Sequence, residues 1–370
     1  MTLFPSVYQE CFGCAARPEA ALAKLQKKEV GKPDFSIREE GAEPTAARGW
    51  LASIVMAPLY PAQSPLAKRL VAKLNPTHLD RIRRLDQMQV DKEGTHFTLP
   101  VAIERNGVRY HGLMMGKKEN LTNGKWILQA MGRDAPIERA ARKCRTVYSE
   151  GGYNVLMLNG PSIGRSDGIA TPRTLGEAHE AALQFLEKAV NAKEIVIAGH
   201  SIGGGVVGQA ILQHQFDPKR KYLVVRQATF DTVSNAVKRF LPLFKTAAEK
   251  AICASGAELD NIEPSKRLAT LGIPEVIVQA SHGEVARGET PKLSDFASDG
   301  VIDSKASLGY RLVKDEVLSH KTFRCIARLG HTEKDKYLAV SLEAIKSHFA
   351  SKPSHTSKLI NFIKNKILKY

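Results

Sequence analysis

"VIAGHSIGGGVVGQA", residues 196–210, decides how the rest of the chain is read. An apolar run enters it, glycines crowd its centre, and an amphipathic stretch leaves it. At the junction stands Gly199-His200-Ser201-Ile202-Gly203, a serine between glycines where a strand gives way to a helix. On such a turn a serine hydroxyl is held above the carboxyl edge of a sheet. Gly199 and Gly203 lack Cβ atoms, so strand and helix can approach closely on either side. Gly204 and Gly205 weaken the first helical turn, which is easier to explain where backbone must approach a ligand. The bland alternative is a glycine-rich turn with a capping serine. The surroundings choose between them.

From residue 96 onward β-rich runs alternate with helical ones. "HFTLPVAIERNGVRYHGLMMG" is two such runs joined at Asn106-Gly107, a strong hairpin signal. Six more follow, at 126–131, 154–160, 194–200, 222–230, 275–281 and 322–330, with helical patterns between them. Continuous apolar strands alternating with helices predict a mostly parallel sheet covered on both faces. Two antiparallel strands leading into six parallel ones come close to the eight-stranded plan of the α/β-hydrolase fold, although another doubly wound fold would share the pattern.

In that plan a serine nucleophile needs a base oriented by an acid, in the chain order Ser, Asp, His. The last strand, "TFRCIARLG", runs directly into His331, which takes the place of the base. Glu284, Asp295, Asp299 and Asp303 all follow the preceding strand, "EVIVQAS". The spacing of "SDGVIDSKASLGYRL" selects Asp299, with Glu284 as runner-up and Asp231 as a third candidate. An oxyanion formed on the substrate needs backbone N–H donors. The N–H of Ile202 is one, and the loop "ILQAMGRDAPIER" offers that of Arg133 as the other. Asp134 and Asp167 read as helix-start or loop residues.

Composition narrows the function classes. Lys and Arg number 54 against 38 Asp and Glu, a formal net charge of +16, which suggests an anionic partner. The basic residues are spread along the chain without a nucleic-acid module, so an acidic membrane surface is preferred to nucleic acid. The five cysteines (Cys11, Cys14, Cys144, Cys253, Cys325) are scattered and odd in number, which is no disulfide framework. "CFGC" has no second pair, and no P-loop or dinucleotide fingerprint is present, so no metal and no cofactor are expected. The longest apolar run, "WLASIVMAPLYP" (50–61), is too short to span a bilayer. The first residues lack a basic region followed by an apolar core, which predicts a cytoplasmic protein.

Together these residues resemble the α/β-hydrolase superfamily over about residues 96 to 350. Within it, "KWILQAMGRDAPIER", "GYNVLMLNGPSIGRSDG" and "VIAGHSIGGGVV" are similar to the chlamydial CHLPS-type hydrolases, a family that includes lipase-like proteins of intracellular bacteria, some of them translocated effectors. The resemblance implies a serine esterase or lipase-like activity with a Ser-Asp-His triad. Met131-Gly132-Arg133 departs from the more familiar Gly-Asn or His-Gly of the oxyanion loop. The expected organisation is a helical N-terminal extension (1–95), a hydrolase domain (96–352) whose residues 231–270 form a helical cap, and a basic amphipathic tail (353–370). The substrate expected is a small-molecule or lipid ester. Acyl transfer or thioester cleavage with the same triad, or a non-catalytic membrane-associated binding protein, are the competing functions.

Overall fold

The computed structural model describes residues 17–26, 33–38, 94–132, 137–238 and 245–350. Within them the chain runs α1 (Pro18–Gln26), β1 (Phe35–Ile37), β2 (His96–Arg105), β3 (Val108–Lys117), β4 (Lys125–Ala130), α2 (Ile137–Glu150), β5 (Asn154–Leu158), α3 (Pro172–Gln184) and β6 (Glu194–His200). It continues through α4 (Ile202–Gln213), β7 (Lys221–Gln227), α5 (Val233–Val237), α6 (Lys245–Ser255), α7 (Ile262–Thr270), β8 (Glu275–Ser281), α8 (Leu308–Lys314), β9 (Lys321–Ala327) and α9 (Lys334–Ala350).

The strands form one sheet in the order β1-β2-β3-β5-β4-β6-β7-β8-β9. β2 and β3 make the expected hairpin, with positive φ at Asn106 (50°) and Gly107 (81°), the conformation this dipeptide adopts at low cost. β3 is antiparallel to both its neighbours, and every other pairing is parallel. β6 and β8 are buried at every residue, as strands covered on both faces must be. On one face α2 and α9 pack Tyr148, Tyr337 and Leu342 against Ile127, Val196 and Val225. On the other, α3 and α4 pack Leu183 and Val207 against Leu128, Ile197 and Val224.

Among the described residues the sheet has nine strands, one more than the alternation of the sequence predicts. The extra one, β1, comes from the N-terminal segment expected to be helical, and lies parallel to β2 at the sheet edge. Three residues are too few to show a period of two. Pairing holds them: Asp34 accepts the N–H of Ala102 on its carboxylate (2.6 Å), and the N–H of Asn106 reaches the carbonyl of Ile37 (2.9 Å).

Residues 231–270 contain α5, α6 and α7. Their Val233, Ile252 and Leu259 join an apolar cluster with Ile202 and Val206 of α4 and with Ile302. Phe240, Leu241 and Phe244 lie outside the described residues, as do most of residues 1–95 and all of 353–370. Among the described residues no helix is long and apolar enough to cross a membrane.

At the amino ends of the central strands a polar network is buried. His214 sits between Glu180 (3.2 Å, Nδ1) and Glu187 (2.9 Å, Nε2). Arg105 pairs with Glu180, and the hydroxyl of Tyr222 donates to Glu187. Burial alone would push the imidazole of His214 down, but the two carboxylates outweigh it and raise it above its ordinary value.

Candidate active site

The order of the strands reverses at β4, because the chain leaves it for β5 on one side and returns to β6 on the other. In open sheets of this kind ligands bind outside the carboxyl ends of the strands at that point. Two loops meet there, Met131-Gly132 after β4 and Ser201 after β6. A methyl group placed on Gly132 would come within 3.3 Å of the Cβ of Ser201.

Ser201 has φ 56° and ψ −124°, a sparsely populated conformation for a residue with a side chain. Such strain costs about 1–3 kcal/mol and persists only where the surroundings enforce it. Here a Cβ on Gly199 would meet the carbonyl oxygen of Gly203 at 2.5 Å, and one on Gly203 would meet those of Ala130 and Met131 at 2.6 Å. The close approach read from the sequence is thus real at both glycines. The N–H of Ser201 donates to Gln227 (2.8 Å), and Thr229 donates its hydroxyl to the carbonyl of Ser201 (2.7 Å). One turn further on, the fully buried Arg226 donates to the carbonyl of Gly204 (2.6 Å) while facing Glu275 (3.4 Å).

His331 lies 2.8 Å from the Ser201 hydroxyl through Nε2 and 2.8 Å from the Asp299 carboxylate through Nδ1. With Nδ1–H given to Asp299, Nε2 is free to accept the serine proton. The other oxygen of Asp299 accepts the backbone N–H groups of Val301 (3.0 Å) and Ile302 (2.7 Å), and its side chain is fully buried. The backbone N–H of His331 returns to the carbonyl of Asp299 (2.8 Å), so the two loops are tied at main chain and side chain alike.

The rival acids stand elsewhere. Glu284 is exposed. Asp295 accepts the N–H of Lys292 and Asp303 that of Lys305, each within its own turn. Asp231 is buried, accepts Thr232 N–H (2.6 Å) and Asn235 (2.8 Å), and is pushed up to about 6 by desolvation. Ile202 opens α4, so its N–H has no acceptor within the helix. Arg133 and Asp134 lie outside the described residues. Asp167 donates its N–H to Arg109 in a loop against β3.

Three supporting residues escaped the reading of the sequence. Thr229 and Arg226 brace the turn from β7. Asn159 accepts the N–H of Ile137 (3.1 Å) and so ties down the end of the loop that begins at Met131. Nothing local in the sequence points to the first two, because their partners, Ser201 and Gly204, lie 28 and 22 residues away in the chain. Asn159 lies in "LNGPSIG", whose glycines mark a bend but not its contact. No group of three or more His, Cys, Asp or Glu among the described residues is placed to hold a metal ion.

Residues 82–289, more than half of the chain, match the family described as Chlamydia CHLPS protein (DUF818). The chain belongs to that family. For this CHLPS-family protein no curated protein matches. Among solved structures, an alpha-beta hydrolase from Vibrio vulnificus is similar over 86% of this chain and 98% of its own, at 15% identity and a TM-score of 0.55. An esterase from Pyrococcus furiosus is similar over 68% of this chain and 88% of its own, at 14% identity and a TM-score of 0.47. The Vibrio likeness establishes for this CHLPS-family chain the α/β-hydrolase fold.

Proposed function

We propose that the protein is a serine hydrolase of carboxylic esters, with Ser201 as nucleophile, His331 as general base and Asp299 as its orienting acid. The observation that carries this reading is the continuous hydrogen-bonded chain from serine through histidine to a buried carboxylate, 2.8 Å at each step. His331 takes the proton of Ser201 as the hydroxyl oxygen attacks the ester carbonyl. The resulting oxyanion is met by the N–H of Ile202 and, on this proposal, that of Arg133. Collapse expels the alcohol, which receives the proton from His331, and leaves an acyl-enzyme that water cleaves by the same steps.

The charge excess of the chain supports an ester presented at an acidic lipid surface. Covalent labelling by a fluorophosphonate probe, with turnover of a short-chain aryl ester, tests the reading. Wild type is expected to be labelled at Ser201, and Ser201→Ala to be neither labelled nor active. Labelling of the folded alanine variant would overturn the assignment.

A further inference from the structure

Gly204 weakens the first turn of α4, and what comes up against it is the side chain of Thr229. A Cβ on Gly204 would lie 2.6 Å from the Cβ of Thr229 and closer still to its hydroxyl oxygen. Gly205 likewise leaves room for Leu259 at 3.1 Å and Phe230 at 3.3 Å. The close approach to backbone expected from these glycines is thus made from within the protein, at the end of the neighbouring strand.

Thr229 is fully buried just beyond β7 and is aimed by a strained turn of its own. Ala228 before it has φ 44°, and its N–H is given to the carbonyl of Val278 (2.9 Å). The carbonyl of Thr229 accepts the N–H of Leu308 at the start of α8 (3.0 Å). Main-chain bonds to β8 and α8 therefore hold the hydroxyl where it donates to the carbonyl of Ser201 (2.7 Å). That carbonyl also accepts the N–H of Gly204 (2.9 Å).

The carbonyl of Ser201 and the N–H of Ile202 are the two ends of one planar trans peptide unit, so they point in opposite directions. Whatever fixes the oxygen fixes the aim of the N–H. The torsion that turns this plane is ψ of Ser201, held at −124° in a sparsely populated region. A hydrogen bond accepted at the oxygen also polarises the amide and strengthens its N–H as a donor.

We propose that Thr229 is a positioning residue of the oxyanion hole: by gripping the carbonyl of Ser201 it aims the Ile202 N–H at the oxygen on which charge develops. The inference rests on the esterase reading above. Thr229→Val keeps the shape of the side chain and removes the hydroxyl, which is no part of the hydrogen bonds from the Ser201 hydroxyl through His331 to Asp299. Its kcat for an aryl ester should fall by about ten- to a hundred-fold, less than the loss of a whole donor, with KM within about two-fold. Affinity for an alkyl trifluoromethyl ketone, whose adduct with Ser201 carries an oxyanion, should fall by a similar factor. The pH–rate profile should keep its midpoint, because the base and its acid are unchanged. Thr229→Ser restores the hydroxyl and should recover most of the turnover. Thr229→Ala, which differs from the serine variant by that oxygen alone, should not.

Aryl-ester kinetics, ketone inhibition and melting curves on the full chain decide the matter. A folded Thr229→Val with the turnover and ketone affinity of wild type overturns the inference and leaves the esterase reading standing. A loss of turnover with unchanged ketone affinity, or with a shifted pH profile, overturns it too, since the fault would then lie in the triad. If the valine variant does not fold, the serine and alanine pair carries the same test. A Thr229→Ala that is unfolded as well makes the hydroxyl a structural one and overturns the inference. Wild type that a fluorophosphonate does not label at Ser201 overturns both readings, so the two failures are distinguishable.

Discussion

Two histidines are buried at opposite ends of the sheet, and they are treated in opposite ways. His200, at the carboxyl end of β6, is only 4% exposed and is held neutral chiefly by desolvation. His214, at the amino end, is 1% exposed and is clamped by Glu180 and Glu187, which raise it. Equal burial shifts the two imidazoles in opposite directions because a buried charge survives only where an opposite charge repays its desolvation. The comparison extends to the backbone around them. The carboxyl end holds Ser201 in a strained conformation beside a neutral imidazole, while the amino end pairs both ring nitrogens of its histidine. On the proposed reading, one end trades stability for reactivity, and the other supplies stability alone.

The sharpest way to break this contrast is at the serine. Ser201→Ala should lower turnover of an aryl ester by about 10⁴- to 10⁶-fold and leave the melting temperature near that of wild type. Steady-state kinetics with a melting curve measure both, and a loss of fold rather than of turnover would make the carboxyl end structural.

Asp299→Asn comes next. An amide cannot stabilise the imidazolium that His331 becomes, so kcat should fall by about 10²- to 10⁴-fold. Glu284→Gln, altered at an exposed position, should stay within about two-fold of wild type. A larger loss from the Glu284 change would move the acid to the end of β8.

At the other end the effect should fall on stability. His214→Phe leaves two buried carboxylates short of a partner and should cost about 3 kcal/mol, with turnover unchanged at a temperature where the variant is folded. The sign with pH follows from the raised imidazole. Its contribution is complete below about pH 6.5, the ordinary value of a histidine, and is lost as the pH rises through the higher folded value. Urea unfolding should therefore show wild type losing stability above that pH, and the variant losing less. Parallel curves for the two proteins would mean that His214 is not charged in the folded state.

The smallest effect expected is the release of strain. Ser201→Gly accepts positive φ without a Cβ and should be about 0.5–1 kcal/mol more stable than Ser201→Ala, which a pair of denaturation curves can resolve. If glycine is the less stable of the two, the turn is not strained in the sense argued here.

Much of this arrangement was legible in the chain itself. The Asn-Gly hairpin, the run of buried parallel strands and the glycine-flanked serine are local patterns, each set by neighbours within a few residues. His331 was placed by following the last strand to its end, and Asp299 by its spacing from the helix start. β1 was not legible, since three residues carry no periodicity. Thr229, Asn159 and Arg226 were not either, because what each one holds lies on a strand or loop far away in sequence.

What the sequence by itself determined is therefore the class of fold and the cast of chemically capable residues, because backbone propensity and apolar patterning act over short range. The tertiary structure decided which carboxylate meets His331, which histidine is neutral and which is clamped, and that a strained serine is braced from the neighbouring strand. Hydrogen bonds, desolvation and charge depend on distances of a few ångströms between residues up to 130 positions apart, and only the packed sheet sets those distances.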